Sequence, residues 1–165
     1  MPTAVSNSSP LIHLAKIGKL DLLRGYYGQI VIPEAVFREC VAEGGDRPEA
    51  AIIRNSDWIV VKSVADRNLV KSLEAGLDGG ESEAIALALE EKSEIILLDD
   101  SDAREKARLY GLKITGAIGI LLRAKRDSKI DSLKDSLSAL RRSGFWIRNS
   151  LEDLLLREVG ETIES

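Results

Sequence analysis

The run Ile95-Ile96-Leu97-Leu98 is apolar at every position and stops at Asp99-Asp100-Ser101-Asp102. A strand exposed on one face alternates apolar and polar residues. An unbroken apolar run instead fits a strand covered on both faces, the central strand of a parallel sheet with helices on each side. Four further short strand-like runs share the chain, at residues 3–6, 29–32, 58–61 and 112–115. Helical stretches separate them, so the expected class is α/β with a mainly parallel sheet.

Local signals set the helices. Ser9 suits a cap with Pro10 in the first helical position, and this helix runs to Gly18. A second starts near Leu20 and ends around Gly25 or Gly28. Pro33 opens a third, with Val36, Phe37, Cys40 and Val41 on one face and Gly44-Gly45 as its stop. Others are expected at residues 47–54, 116–126, 133–142 and 151–159, and after Ser101. Residues 81–89 are apolar nearly all round, which predicts a buried helix. Residues 62–78 are polar and mixed and carry no clear element. With no repeat or linker, residues 1–165 read as one domain ending in helices and a short acidic tail.

Several classes are excluded. The chain has one cysteine, Cys40, and one histidine, His13, too few for a disulfide or a Cys/His zinc cage. No apolar run approaches the roughly 18 residues of a membrane span, and the N-terminus lacks signal-peptide features, so a cytoplasmic protein with no membrane partner is expected. Ser8 and Ser9 lack a GxSxG elbow, which argues against a serine hydrolase. The string Gly76-Leu77-Asp78-Gly79-Gly80 matches no phosphate loop. Net charge is −4, but residues 1–100 hold 10 Lys and Arg against 17 Asp and Glu. Residues 101–148 hold 12 against 5 and the last 17 residues hold 1 against 5, so a basic segment follows an acidic one. Either an anionic ligand or basic and acidic helix faces alternating in space would explain this.

In open parallel sheets ligands bind beyond the carboxyl ends of the strands. Asn7 follows the first strand there, and Asp99, Asp100 and Asp102 follow the fourth. Three neighbouring aspartates repel one another unless a cation or hydrogen bonds compensate. A hard ion such as Mg²⁺ would, and so in part would a helix cap by Asp99 or Asp100. Glu81 shares a helical face with Ala84, Ile85 and Ala88 and is expected to look inward, whereas Glu83 is expected to be an exposed first-turn acid. Glu39 borders an apolar face, and periodicity leaves its direction open. Asp100-Ser101-Asp102 matches the DxD pattern of haloacid dehalogenase-like phosphatases, but those place it after their first strand.

Taken in order, VSNSSPLIHLAKIGKLDLL, IVIPEAVFREC, GGESEAIALALE, IILLDDSDAREKA and LKITGAIGILLRAK resemble a PIN domain over nearly the whole chain. More narrowly, Asn7-Ser8-Ser9-Pro10-Leu11-Ile12 resembles a prokaryotic branch with asparagine in place of the first aspartate of VapC-type toxins. The resemblance implies a three-layer α/β/α fold with a five-stranded parallel sheet in the order 3-2-1-4-5. It implies a metal-dependent ribonuclease using Mg²⁺ or Mn²⁺, with Glu39, Glu81 and Asp100 as its acids and Asp99 or Asp102 as close alternatives. Asn7 takes the first acidic position, with one less negative charge for metal, and Ser9 matches the hydroxyl that accompanies it. Under this reading Arg104, Arg123, Lys125 and Arg126 are the expected RNA-phosphate contacts. The toxin of a toxin–antitoxin pair, with an antitoxin protein as partner, and a homodimer are what the family offers. The alternative is a catalytically weak or inactive PIN-fold module that binds RNA or protein.

Overall fold

Five short parallel strands, β1 (Ala4–Ser6), β2 (Ile30–Pro33), β3 (Ile59–Lys62), β4 (Ile95–Leu97) and β5 (Lys113–Thr115), form one sheet in the order β3-β2-β1-β4-β5. The computed structural model describes residues 3–161. Strand alternation divides the apolar residues between two cores. Ala4, Ile30, Ile32 and Leu97 face one layer; Val5, Val31, Ile96 and Leu98 face the other.

Against the first face pack α1 (Ser8–Lys16), α2 (Asp21–Tyr27), α4 (Pro48–Arg54), α8 (Ala117–Arg126), α9 (Leu133–Arg142) and α10 (Asn149–Glu158). The second carries α5 (Arg67–Leu73), α6 (Gly79–Glu90) and α7 (Ser101–Leu109). The expected three-layer α/β/α architecture and strand order are therefore present. Every residue of α6 from Gly80 to Ala88 is buried, as its all-round apolar pattern predicts. Among the described residues no helix is long and apolar enough to cross a membrane.

Several local expectations change. Residues 62–78 contain α5, capped by the Asp66 side chain, which accepts from the Leu69 amide 3.0 Å away, and anchored by buried Val70 and Leu73. Helix α1 begins at Ser8, with Asn7 at the capping position and no side-chain cap, so Ser9 lies inside the helix. Pro33 closes β2 and precedes α3 (Glu34–Phe37), which passes into a π-helical stretch over Arg38–Ala42. Glu83 is buried, not exposed. It accepts from the Ala35 amide at 3.2 Å and meets Arg67 at 3.4 Å, because α6 is covered on all sides at this turn.

The chain moves outward through β1, β2 and β3, then crosses back to β4 and β5 on the other side of β1. The strand order thus reverses between β1 and β4, where adjacent connections leave in opposite directions and open a crevice at the carboxyl ends. Asn7 and Asp99 stand at the two sides of that point.

Candidate active site

The Asn7 amide donates to the Leu97 carbonyl at 3.0 Å, extending the β1–β4 ladder one residue beyond the strand. Its side chain is buried, and its Oδ1 has no hydrogen-bond partner. An unpaired buried carbonyl oxygen is costly, so it marks a place where a donor or cation would be welcome.

The next two residues hold acids. Ser8 Oγ donates to Glu39 Oε2 at 2.6 Å, and Ser9 Oγ donates to Asp99 Oδ2 at 2.9 Å. The π-helical stretch that carries Glu39 changes the register of its face relative to α3, and such bulges recur at functional sites. Glu39 also lies against Gly80, where a Cβ would stand 2.1 Å from Oε1. Burial raises its carboxyl above the ordinary range; the Ser8 bond opposes this and the Asp78 and Glu43 charges add to it.

Asp78 caps α6 and forms a reciprocal pair with Glu81. The Glu81 amide donates to Asp78 Oδ1 at 2.8 Å, and the Asp78 amide donates to Glu81 Oε1 at 3.2 Å. Glu81 is 8% exposed and faces inward, as its spacing predicts. Burial pushes its carboxyl up to about 7, with the Asp78 and Asp100 charges pushing the same way and the Asp78 amide bond opposing them. Asp78 is the acid that sequence reasoning passed over. Its signal is the D-x-x-E spacing of a capping box, set inside the glycine-rich string that matches no phosphate loop.

Asp99 and Asp100 part company after β4. Asp99 accepts from the Ala117 amide at 2.8 Å, at the start of α8, as well as from Ser9. Burial raises its carboxyl, against those two bonds and the nearby Arg104 charge. Gly116 permits this approach, since a Cβ there would stand 2.5 Å from Asp99 Oδ1 and 3.0 Å from the Leu98 carbonyl oxygen. Asp100 is exposed, caps α7 through the Ala103 amide at 3.0 Å, and acts on Glu81. Asp102 is exposed too, but it lines a separate groove with Gly76, Leu77 and Lys106.

The basic residues also divide. Arg104 lies beside Asp99 in the wall of a cleft of 540 Å³. Arg123, Lys125 and Arg126 lie six to nine residues along α8 from Ala117, about 9 to 13 Å at the helical rise. There Arg123 sits 3.8 Å over the Tyr26 ring and 3.7 Å from Asp127, while Lys125 pairs with Glu161 at 3.4 Å and Arg126 with Glu158 at 3.2 Å. Part of the basic segment is thus neutralised by the acidic C-terminal region, and of the four expected phosphate contacts only Arg104 adjoins the acids.

A family model described as a PIN domain (DUF3368) matches residues 3–161. The chain belongs to the PIN-domain family. Among solved structures, this PIN domain is similar to a PilT N-terminus domain protein from the hyperthermophilic archaeon Sulfolobus solfataricus P2. The TM-score is 0.56 at 21% identity, covering 74% of this chain and 92% of that one, a likeness of fold. No curated protein gives a match.

PIN domains generally use divalent metal ions. Here the available donors are oxygens: the Glu81 and Asp100 carboxylates, each with one oxygen bonded to a capping amide, and the unpartnered Asn7 carbonyl. His13 is bonded to Ser143 and Cys40 is buried. That chemistry fits a hard cation, although among the described residues no three His, Cys, Asp or Glu side chains form a ready-made metal cluster.

Proposed function

We propose that this PIN domain is a metal-dependent ribonuclease that hydrolyses RNA phosphodiesters in the acidic crevice beyond β1 and β4. The observation that carries the reading is Glu81, a buried carboxyl pushed up to about 7 beside Asp78 and Asp100, with an unpaired Asn7 carbonyl at the same strand ends. A cation would relieve this concentration of acidic charge and partner the one unpaired oxygen. Glu81, Asp100 and Asn7 would hold Mg²⁺ or Mn²⁺, which when bound supplies an activated water and stabilises charge at phosphorus. Asp78 positions Glu81 through the capping box, Ser8 positions Glu39, and Ser9 with the Ala117 amide positions Asp99 away from the Glu81 side. Arg104 offers a guanidinium for a phosphate next to the scissile one.

The family context extends this reading to a toxin with a cognate antitoxin protein, acting as a homodimer. A second reading, a binding module with little activity, draws support from the neutral amide at position 7 and from the lack, among the described residues, of a ready-made cluster of three metal-binding side chains.

The test is cleavage of single-stranded RNA by the full chain in Mg²⁺, Mn²⁺ or EDTA. Cleavage is expected only with metal, and Asp100→Asn should reduce it by about 100-fold or more while the asparagine still caps α7. Equal cleavage in EDTA, or by that variant, would remove the assignment, and turnover of a phosphomonoester alone would favour a phosphatase. The role of Glu39 is read separately with Gly80→Ala. The new methyl group must displace the Glu39 carboxylate, so cleavage should fall several-fold. Thermal stability should hold or rise, because alanine favours a helix over glycine by about 1 kcal/mol.

A further inference from the structure

The 540 Å³ cleft beside Asp99 has a composition that the acidic crevice does not explain. Arg104 and Arg108, four residues apart on one face of α7, line it with Arg148 at the start of α10 and with Trp146. Of the two tryptophans, Trp58 is 8% exposed and in the core, whereas Trp146 is 77% exposed. Arg108 and Arg148 are exposed, and among the described residues neither makes an ion pair. Asp99 is the one acid in the wall, and Arg104 stands beside it. The cleft therefore offers an open indole face and two uncommitted guanidinium groups, and through Asp99 it borders the residues at the end of β4.

We propose that this cleft is a track for single-stranded RNA, with an unpaired base stacked on Trp146 and the flanking phosphates held by Arg108 and Arg148. The choice of RNA rests on the ribonuclease reading. An unpaired nucleotide presents an aromatic face and a negative charge together, matching both kinds of side chain. A duplex hides its bases, and an acidic peptide would satisfy the arginines while leaving the indole bare. The track would feed the strand past Asp99 toward Asp100 and Glu81, making Trp146 a determinant of where the strand rests rather than of the chemistry.

The experiment is fluorescence anisotropy of a labelled eight-nucleotide oligouridine with the full chain in EDTA, so that binding is measured without cleavage. Trp146→Ala should weaken binding by roughly 5- to 100-fold, and Trp146→Phe should recover most of it, since base stacking is sequence-tolerant and needs only an aromatic face. Arg148→Ala should lower the slope of log affinity against log salt by about 0.7, the loss of one single-strand phosphate contact. A paired RNA stem should bind more weakly and equally to wild type and Trp146→Ala. Equal oligouridine affinity for wild type and Trp146→Ala would overturn the proposal and point to a protein partner. Binding that depends on Trp146 without cleavage in any metal would uphold the track and sink the nuclease reading. Metal-dependent cleavage with binding indifferent to Trp146 would do the reverse.

Discussion

Glu81→Gln is expected to abolish metal-dependent RNA cleavage and, in EDTA at pH 8, to make the protein more stable. The two effects have one origin. Burial and the charges of Asp78 and Asp100 hold the Glu81 carboxyl at about 7, against an ordinary 4.5, so its ionised form is disfavoured in the folded state. Between those values the folded protein retains a proton that the unfolded chain releases, and stability falls as pH rises. The penalty is absent below about pH 4.5 and complete above about pH 7. Glutamine keeps the oxygen that accepts from the Asp78 amide but carries no charge. The variant should therefore match wild type at pH 4 and exceed it at pH 8 by about 1 to 2 kcal/mol after allowance for solvent screening. Urea unfolding at the two pH values reads this directly. Saturating Mg²⁺ or Mn²⁺ should then stabilise wild type and leave the variant little changed, because only a site that binds metal in the folded state gains by mass action. A variant that is inactive and also less stable at pH 8 would make Glu81 a structural cap, and one with undiminished cleavage would take it out of the site.

Stabilisation on removing a group separates a residue kept for chemistry from one kept for folding. Asp99 provides the contrast. Its half-buried carboxyl is raised by burial as well, but Ser9, the Ala117 amide and Arg104 offset that in part, and through these bonds it ties α1, β4 and α8 together. Loss of that acid should cost stability, as removal of one partner from a buried hydrogen-bonded network generally does.

Strand periodicity accounts for the division between these neighbours. Leu97 faces the layer that contains α1 and α8, and Leu98 the layer that contains α6 and α7. Continued for two residues, the alternation sends Asp99 toward Ser9 and Ala117 and Asp100 toward Glu81. This much was legible in the run of residues 95–100 once the layers were known. The parallel sheet and the inward turn of Glu81 were legible as well, because a both-face apolar strand and a three-and-four spacing leave few alternatives; the strand order was implied only by the resemblance to PIN domains. Other features needed the third dimension. Glu83 was expected in solvent because helical periodicity assumes one wet face, and α6 has none at its first turns. Helix α5 is a single short piece with two fully buried anchors in a polar stretch, too weak a period to see. Arg123, Lys125 and Arg126 lie near Arg104 in composition, but ten residues of helix carry them to the far end of α8. Gly80 and Gly116 leave no periodic mark at all; each is explained only by a carboxylate resting where a Cβ would be.

The remaining question is the amide at the head of the site, and Asn7→Asp is expected to change the protein in opposite directions with and without metal. Position 7 is 6% exposed, and the two serines after it already hold Glu39 and Asp99. A carboxylate placed there without a counter-ion must be desolvated among other acids, at a cost of about 2 to 4 kcal/mol or a strongly raised pKa. Wild type should thus be the more stable of the two in EDTA. With Mg²⁺ or Mn²⁺ present, the extra charge becomes a ligand in place of a neutral carbonyl. Affinity for the ion should rise about tenfold or more, since ligand charge count is a principal control on binding of hard cations. The stability gap should then close or invert, and RNA cleavage at limiting metal should increase. Calorimetric titration of both proteins with Mn²⁺, paired with thermal unfolding in EDTA and in metal, measures every part of this. If Asn7→Asp lowers stability equally in both conditions and leaves metal affinity unchanged, the orphaned Asn7 oxygen is a packing defect rather than a ligand, and the cation must be held by Glu81 and Asp100 alone.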